Sequence, residues 1–116
     1  MSVRAYVPAT PELLADYLAG QAVPVDADPI TAEDESEEAE YAALMTAADA
    51  SAALLPGPGR RVVLVVEAPD GTRSVPWRLV ASVHVDTDDD ADPDDDLAWY
   101  ATQEVPGLLE GMIGGR

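Results

Sequence analysis

Arg61 is followed by Val62-Val63-Leu64-Val65-Val66, an apolar run with no polar position in it. A run this short and this rich in β-branched residues reads as a strand, and one with no solvent face reads as central. Pro69-Asp70-Gly71 predicts a turn just beyond it, with Pro at the first central position and Gly at a positive φ. The chain then returns through Thr72 to Val75 as an edge strand, because Pro76 has no amide to give to a ladder. Val80 to Val85 follows as a further strand. After it comes the acidic run Asp86 to Asp96, which reads as a loop.

Upstream of the run, Pro56-Gly57-Pro58-Gly59 ends a long helix. That helix is predicted from Asp34–Ser36 to Leu55, with Tyr41, Leu44, Met45, Ala48, Ala52 and Leu55 forming one apolar stripe at helical spacing. Residues 21–32 read as a loop, with Pro24 and Pro29 blocking regular structure. Before it, Thr10-Pro11-Glu12 is a helix start. Thr10 caps, Pro11 suits the first helical position, and Glu12 favours the positive end of the dipole. Leu13, Leu14, Tyr17 and Leu18 mark one face of this helix, and Gly20 ends it. Val3 to Ala9 reads as the first strand, with Pro8 either ending it or lying at a bulge.

The segment from Leu97 to Leu109 fits either a helix from Asp94 or a strand through Leu97 to Ala101. The strand is the preferred reading, with Trp99 facing the core and Thr102 capping a short terminal helix that tolerates Pro106 in its first turns. Gly111, Gly114 and Gly115 predict a mobile tail. Residues 1–110 are therefore expected to form one domain and 111–116 a flexible tail. The expected fold is α+β: a two-layer sandwich of a mixed sheet of four to five strands, two helices on one face and a short C-terminal helix.

Composition narrows the function classes. The chain has 116 residues, a net charge of −17, six Arg and no Lys, yet 47% of it is hydrophobic. That apolar share is too large for a disordered acidic tail. Phe is absent and Ile occurs only at Ile30 and Ile113, so Val, Leu and Ala must build the core. This bias fits either high-GC coding or halophilic adaptation. Without cysteine there is no disulfide, thiolate metal site or Cys nucleophile. The start of the chain resembles a strand rather than a leader, and no apolar stretch approaches the ~18 residues of a membrane span. The expectation is a cytoplasmic protein that avoids nucleic acid and membranes and attracts basic partners.

Four blocks carry a resemblance. They are Val3-Arg4-Ala5-Tyr6-Val7-Pro8-Ala9-Thr10, Glu40-Tyr41-Ala42-Ala43-Leu44, Val80-Ala81-Ser82-Val83-His84-Val85-Asp86, and Leu97-Ala98-Trp99-Tyr100-Ala101-Thr102-Gln103-Glu104-Val105-Pro106-Gly107-Leu108-Leu109. In this order they resemble a family of small actinobacterial proteins classed as a domain of unknown function. The resemblance implies lineage and an α/β-type domain and assigns no chemistry. The chain is shorter than that family's pattern around Arg73 and around Asp88 to Asp95. Its closing block also resembles the strand-turn-helix ending of Nudix hydrolases, but the glutamate-bearing Nudix box is absent.

No motif assigns a catalytic residue, a metal or a cofactor. Fourteen of the 23 acidic residues lie in Glu33 to Glu40 and Asp86 to Asp96. An EF-hand loop starting at Asp86 would place Asp88 and Asp90 at positions 3 and 5, but Ala91 replaces the glycine of position 6 and Leu97 the glutamate of position 12. The run therefore reads as a solvated loop. Ser82, His84 and Asp86 share one strand face, but neighbours there are ~7 Å apart, so hydrogen bonds among them are not expected. Arg60-Arg61 precedes a strand rather than a helix, unlike a P-loop, and its arginines are expected to pair with nearby carboxylates. Of Trp99 and Tyr100, adjacent on a strand, one must be exposed, and an exposed aromatic beside acidic residues suits a protein interface. The candidate interaction surface is Trp99, Tyr100, Asp88, Asp90, Glu37 and Glu38. The favoured function is a non-enzymatic interaction or regulatory module meeting a basic protein surface, with nucleic-acid mimicry as a special form. A small hydrolase or metal-dependent enzyme, or an accessory protein whose acidity serves solubility, are the alternatives.

Overall fold

The computed structural model describes residues 2–114. At its centre is a four-stranded sheet in the order β1 (Ser2–Ala9), β3 (Val62–Pro69), β5 (Val80–Val85) and β6 (Ala98–Tyr100). A two-stranded sheet pairs β2 (Ala22–Pro24) with β4 (Ser74–Pro76). The helices are α1 (Pro11–Gly20), α2 (Glu37–Leu54) and α3 (Val105–Leu109). The α+β class and the short C-terminal helix are as the sequence predicts. The arrangement within that class differs in two respects.

First, every ladder is antiparallel, so the main sheet is not mixed. Second, the two long helices lie on opposite faces. Along β3, Val62, Leu64, Val66 and Ala68 belong to one core with Leu14 of α1, Val23, Val75 and Val105. Val63 and Val65 belong to another, with Ala43, Ala47 and Ala48 of α2 and with Tyr6. The apolar run of β3 explains this: alternate residues point to opposite faces, so five consecutive buried residues need cover on both sides. Each such Val or Leu contributes about 1.5–3 kcal/mol of burial.

The helix boundaries follow local chemistry. Thr10 Oγ1 accepts from Leu13 N at 3.1 Å, with Pro11 opening α1. Gln21, not Gly20, takes the left-handed conformation that closes it (φ 56°). Ser36 Oγ accepts from Ala39 N at 3.1 Å and opens α2. The buried side of α2 matches the predicted stripe only in part: Ala48 is buried and Leu44 and Met45 pack beside it. Ala43, Ala47, Ala48 and Ser51 are buried, while Tyr41 is 48% exposed and Ala52 is exposed. Small residues at spacing four let the helix axis approach the sheet, and the large side chains are displaced to its flanks.

Residues 21–32 are more ordered than a loop. They hold β2, and Tyr6 N donates to Ile30 O at 2.9 Å, covering the edge of β1. The turn after β3 closes by Thr72 N donating to Pro69 O at 3.1 Å, so Asp70 and Gly71 are its central residues and Pro69 its first. Gly71 has φ +76°. β4 pairs with β2 rather than with the main sheet. After β6, Thr102 opens a 3-10 turn as its first residue rather than its cap, and Glu104 Oε1 accepts from Ala101 N at 2.9 Å. The chain stays helical through Glu110–Gly114, and the end of the expected tail lies outside the described residues. No helix is long and apolar enough to cross a membrane among the described residues.

Candidate functional site: a groove beside Trp99 and an acidic loop held by Arg61

Where β3 pairs with β5, Val65 stands opposite Ser82 but Val66 stands opposite Val80. Ala81 is therefore an extra, exposed residue in a bulge. It lets Val80, Val83 and Val85 join the core on the α1 face, while Ser82 and His84 face α2. His84 stands opposite Trp99 on β6, so Trp99 also lies on the α2 face, and Tyr100 lies on the other. Trp99 does not face the core as predicted. It is 61% exposed, because α2 reaches only as far as β1 and β3, and Tyr100 packs against the core instead.

The uncovered part of this face forms a groove of about 300 Å³ between α2 and β6. Val65, Ser82 and His84 lie at its base, with Tyr41 and Leu44 of α2 and Trp99 around it. Glu37 and Glu40 bring negative charge to the α2 side. Arg4 enters from β1, its Nε 2.8 Å from Glu67 Oε2 and its Nη1 3.8 Å from Glu40 Oε2. Ser82 Oγ and His84 Nε2 are 3.0 Å apart, so these two side chains do bond across the strand despite their backbone spacing. Burial lowers the pKa of His84, which favours a neutral imidazole. Asp86, the third member of that row, does not reach the imidazole.

Asp86 is held elsewhere. Its Oδ2 accepts from Arg61 N at 2.9 Å and Arg61 Nε at 2.8 Å, and its Oδ1 from Arg61 Nη2 at 2.9 Å. Asp86 N donates to Arg61 O at 3.2 Å, which extends the β3–β5 ladder by one residue. The remaining donors of the guanidinium hold the acidic loop: Nη1 donates to Pro93 O, and Nη2 to Asp92 O and Asp95 O. Arg60 Nε pairs with Asp89 Oδ1 at 3.5 Å. The expectation that the two arginines pair with carboxylates is met, and the expectation of a wholly solvated loop is corrected at Asp86, which is 1% exposed.

Several loop carboxylates serve the loop itself. Asp88 Oδ1 accepts from Asp90 N at 2.9 Å, and Asp95 Oδ2 from Asp92 N at 3.0 Å. Tyr41 donates its hydroxyl to Asp96 Oδ1 at 2.7 Å, tying the loop to α2, and this bond raises the phenol pKa. Asp90 lines a separate hollow of about 330 Å³ with Asp49 and Asp89. Among the described residues, no three His, Asp or Glu side chains are grouped to hold a metal ion. Of the six residues proposed as an interaction surface, Trp99 and Glu37 share the groove. Glu38 is exposed on α2, Asp88 and Asp90 belong to the loop, and Tyr100 is on the opposite sheet face. Sequence reasoning did not place Tyr41, Glu40 or Ser82 at this site. The one available signal was the shared parity of Ser82 and His84 on a strand.

The fold and site define a small α+β protein with an aromatic, acid-rimmed groove. The chain belongs to a family of unknown function, DUF6912, which matches residues 3–109. The domain of unknown function expected from the four blocks is thereby shown. Searches of curated proteins and of solved structures found no match.

Proposed function

We propose that this protein is a non-enzymatic interaction module of an actinobacterial cytoplasm that presents the Trp99 groove to a basic protein surface. The observation that carries this reading is the 61% exposure of Trp99 on a sheet edge beside Glu37. Exposed tryptophans recur as interface anchors, and this one stands beside carboxylates that suit a basic partner. The net charge of −17 speeds encounter with cationic surfaces and repels nucleic acid and anionic lipid. A nucleic-acid-binding protein is one kind of surface that meets this description, which makes mimicry a special form of the proposal.

The test is affinity capture from native lysate at low and high salt, with the wild type and Trp99→Ala side by side. A defined partner retained at low salt, released at high salt and lost on Trp99→Ala supports the reading. No salt-sensitive partner, or capture indifferent to Trp99, sinks it and leaves the acidity a matter of solubility.

The 3.0 Å contact of Ser82 with His84 favours a second reading, a small hydrolase. A neutral imidazole beside a hydroxyl is the start of a nucleophile–base pair. Hydrolysis of an activated ester that disappears in both Ser82→Ala and His84→Gln, with the fold intact, would displace the first reading.

A further inference from the structure

We infer that the groove between α2 and β6 is a slot for one arginine side chain of a basic partner, with its guanidinium on the Trp99 indole and its charge against Glu37. The inference rests on the interaction reading above and names the chemistry that the groove selects.

Size comes first. A groove of about 300 Å³ is at the lower end of ligand sites and suits a single long side chain better than a helix or a nucleotide. Its lining is mainly aromatic and acidic, and Arg4 at one end is already paired with Glu67 and Glu40. Trp99 and Tyr41 offer exposed aromatic surface, and Glu37 and Glu40, one helical turn apart, offer carboxylates. Aromatic rings attract cations through their negative faces, and a nearby carboxylate adds charge pairing. The base of the groove carries no positive charge of its own, being Val65, Ser82 and a half-buried His84.

The carboxylate half of this chemistry is already used once. Arg4, at one end of the groove, places its guanidinium between Glu67 and Glu40. Glu37 has no ion-pair partner among the described residues. The open stretch between Glu37 and Trp99 therefore offers that unpaired carboxylate and an exposed indole side by side. Arginine is favoured over lysine because a planar guanidinium can stack on an indole while its edge donates to a carboxylate.

The test uses the whole chain and three hexapeptides of sequence Gly-Ser-Gly-Xaa-Gly-Ser, with Xaa arginine, lysine or citrulline. Backbone and indole N–H signals are followed by NMR during titration. The expected result is saturable movement of the Trp99 indole and of Ser82 and His84 by the arginine peptide, with the Trp77 indole unmoved. An affinity on the order of millimolar is expected for a single side chain. Lysine should bind several-fold more weakly and citrulline not at all. Glu37→Gln, an exposed change that spares the core, should weaken the arginine peptide several-fold. Shifts centred on the Asp86–Asp96 loop, equal response to lysine, or indifference to Glu37→Gln would overturn the slot. If the slot fails while partner capture still depends on Trp99, the wider reading survives. If capture ignores Trp99 while the peptide titration succeeds, only the wider reading falls.

Discussion

The Arg61 guanidinium and the Asp86 carboxylate meet as a two-pronged pair, Nε to Oδ2 at 2.8 Å and Nη2 to Oδ1 at 2.9 Å, with side chains only 5% and 1% exposed. One cation thus neutralises the first carboxylate of the acidic run and hydrogen-bonds three carbonyls farther along it. In a segment with eight acidic residues between Asp86 and Asp96, this one side chain supplies four of the anchoring contacts: Asp86 and the carbonyls of Asp92, Pro93 and Asp95. The arrangement explains why an arginine directly precedes the apolar strand.

Removing either partner should be costly, because the other is left charged and buried. Arg61→Met and Asp86→Leu are each expected to lose about 3–5 kcal/mol, and the double variant less than the sum. Urea unfolding checks this. Hydrogen exchange of Arg61→Met should show the loop amides exchanging faster than those of β1. Equal losses in the double variant and the sum of the singles would mean that the two groups act independently.

Ser51 is a second buried polar joint. Its hydroxyl donates to Ala9 O at 2.6 Å and accepts from Val62 N at 2.8 Å, joining α2 to the end of β1 and the start of β3. Ser51→Ala strands a buried amide and a buried carbonyl, so a loss of about 1–3 kcal/mol is expected. Chemical denaturation reads it, and Ser51→Thr should not restore the loss if the site is as tightly packed as its zero exposure indicates.

His84 gives the stability a pH dependence of known sign. Burial lowers its folded pKa below the ordinary value near 6.5, so the unfolded chain binds the proton first as pH falls. The contribution is complete above about pH 6.5 and is lost as pH drops from there through the folded pKa. His84→Gln leaves every other charged group in place, so it is the reference for the comparison. The wild type should lose more stability than His84→Gln between pH 7.5 and 5. An NMR titration midpoint for His84 at or above 6.5 would contradict the sign.

Gly71 carries φ +76° in the turn after β3, and a Cβ there meets nothing within 4 Å. Gly71→Ala therefore isolates backbone strain, with an expected cost of about 1–2 kcal/mol. Gly71→Asn should cost less, since Asn tolerates the left-handed region. Thermal unfolding of the two variants distinguishes them.

Much of the fold was legible where local rules suffice. Thr10-Pro11 and Ser36 start helices through their own side chains, and Val62–Val66 is apolar enough to name itself a central strand. The errors came from judging residues by size. In α2 the alanines face the sheet because a close approach needs small side chains, and Tyr41 is left to bind Asp96. Trp99 is large and apolar, as a core residue would be, but strand parity with His84 puts it where α2 does not reach. The groove was illegible because it depends on how far one helix extends across a sheet, a distance that no local pattern records. The Ser82–His84 bond was missed because Cα spacing underestimates the reach of an imidazole.

The extra residue at Ala81 bears on how this chain can change length during descent. Removing one residue from the middle of a paired strand ordinarily turns every later side chain to the wrong side. Ala81 is surplus to the ladder, so its loss would leave Val80 and Ser82 in plain alternation, each on the side it now occupies. Single-residue deletions at position 81 should therefore be tolerated within the main sheet, while deletions at Val83 or Val65 should not.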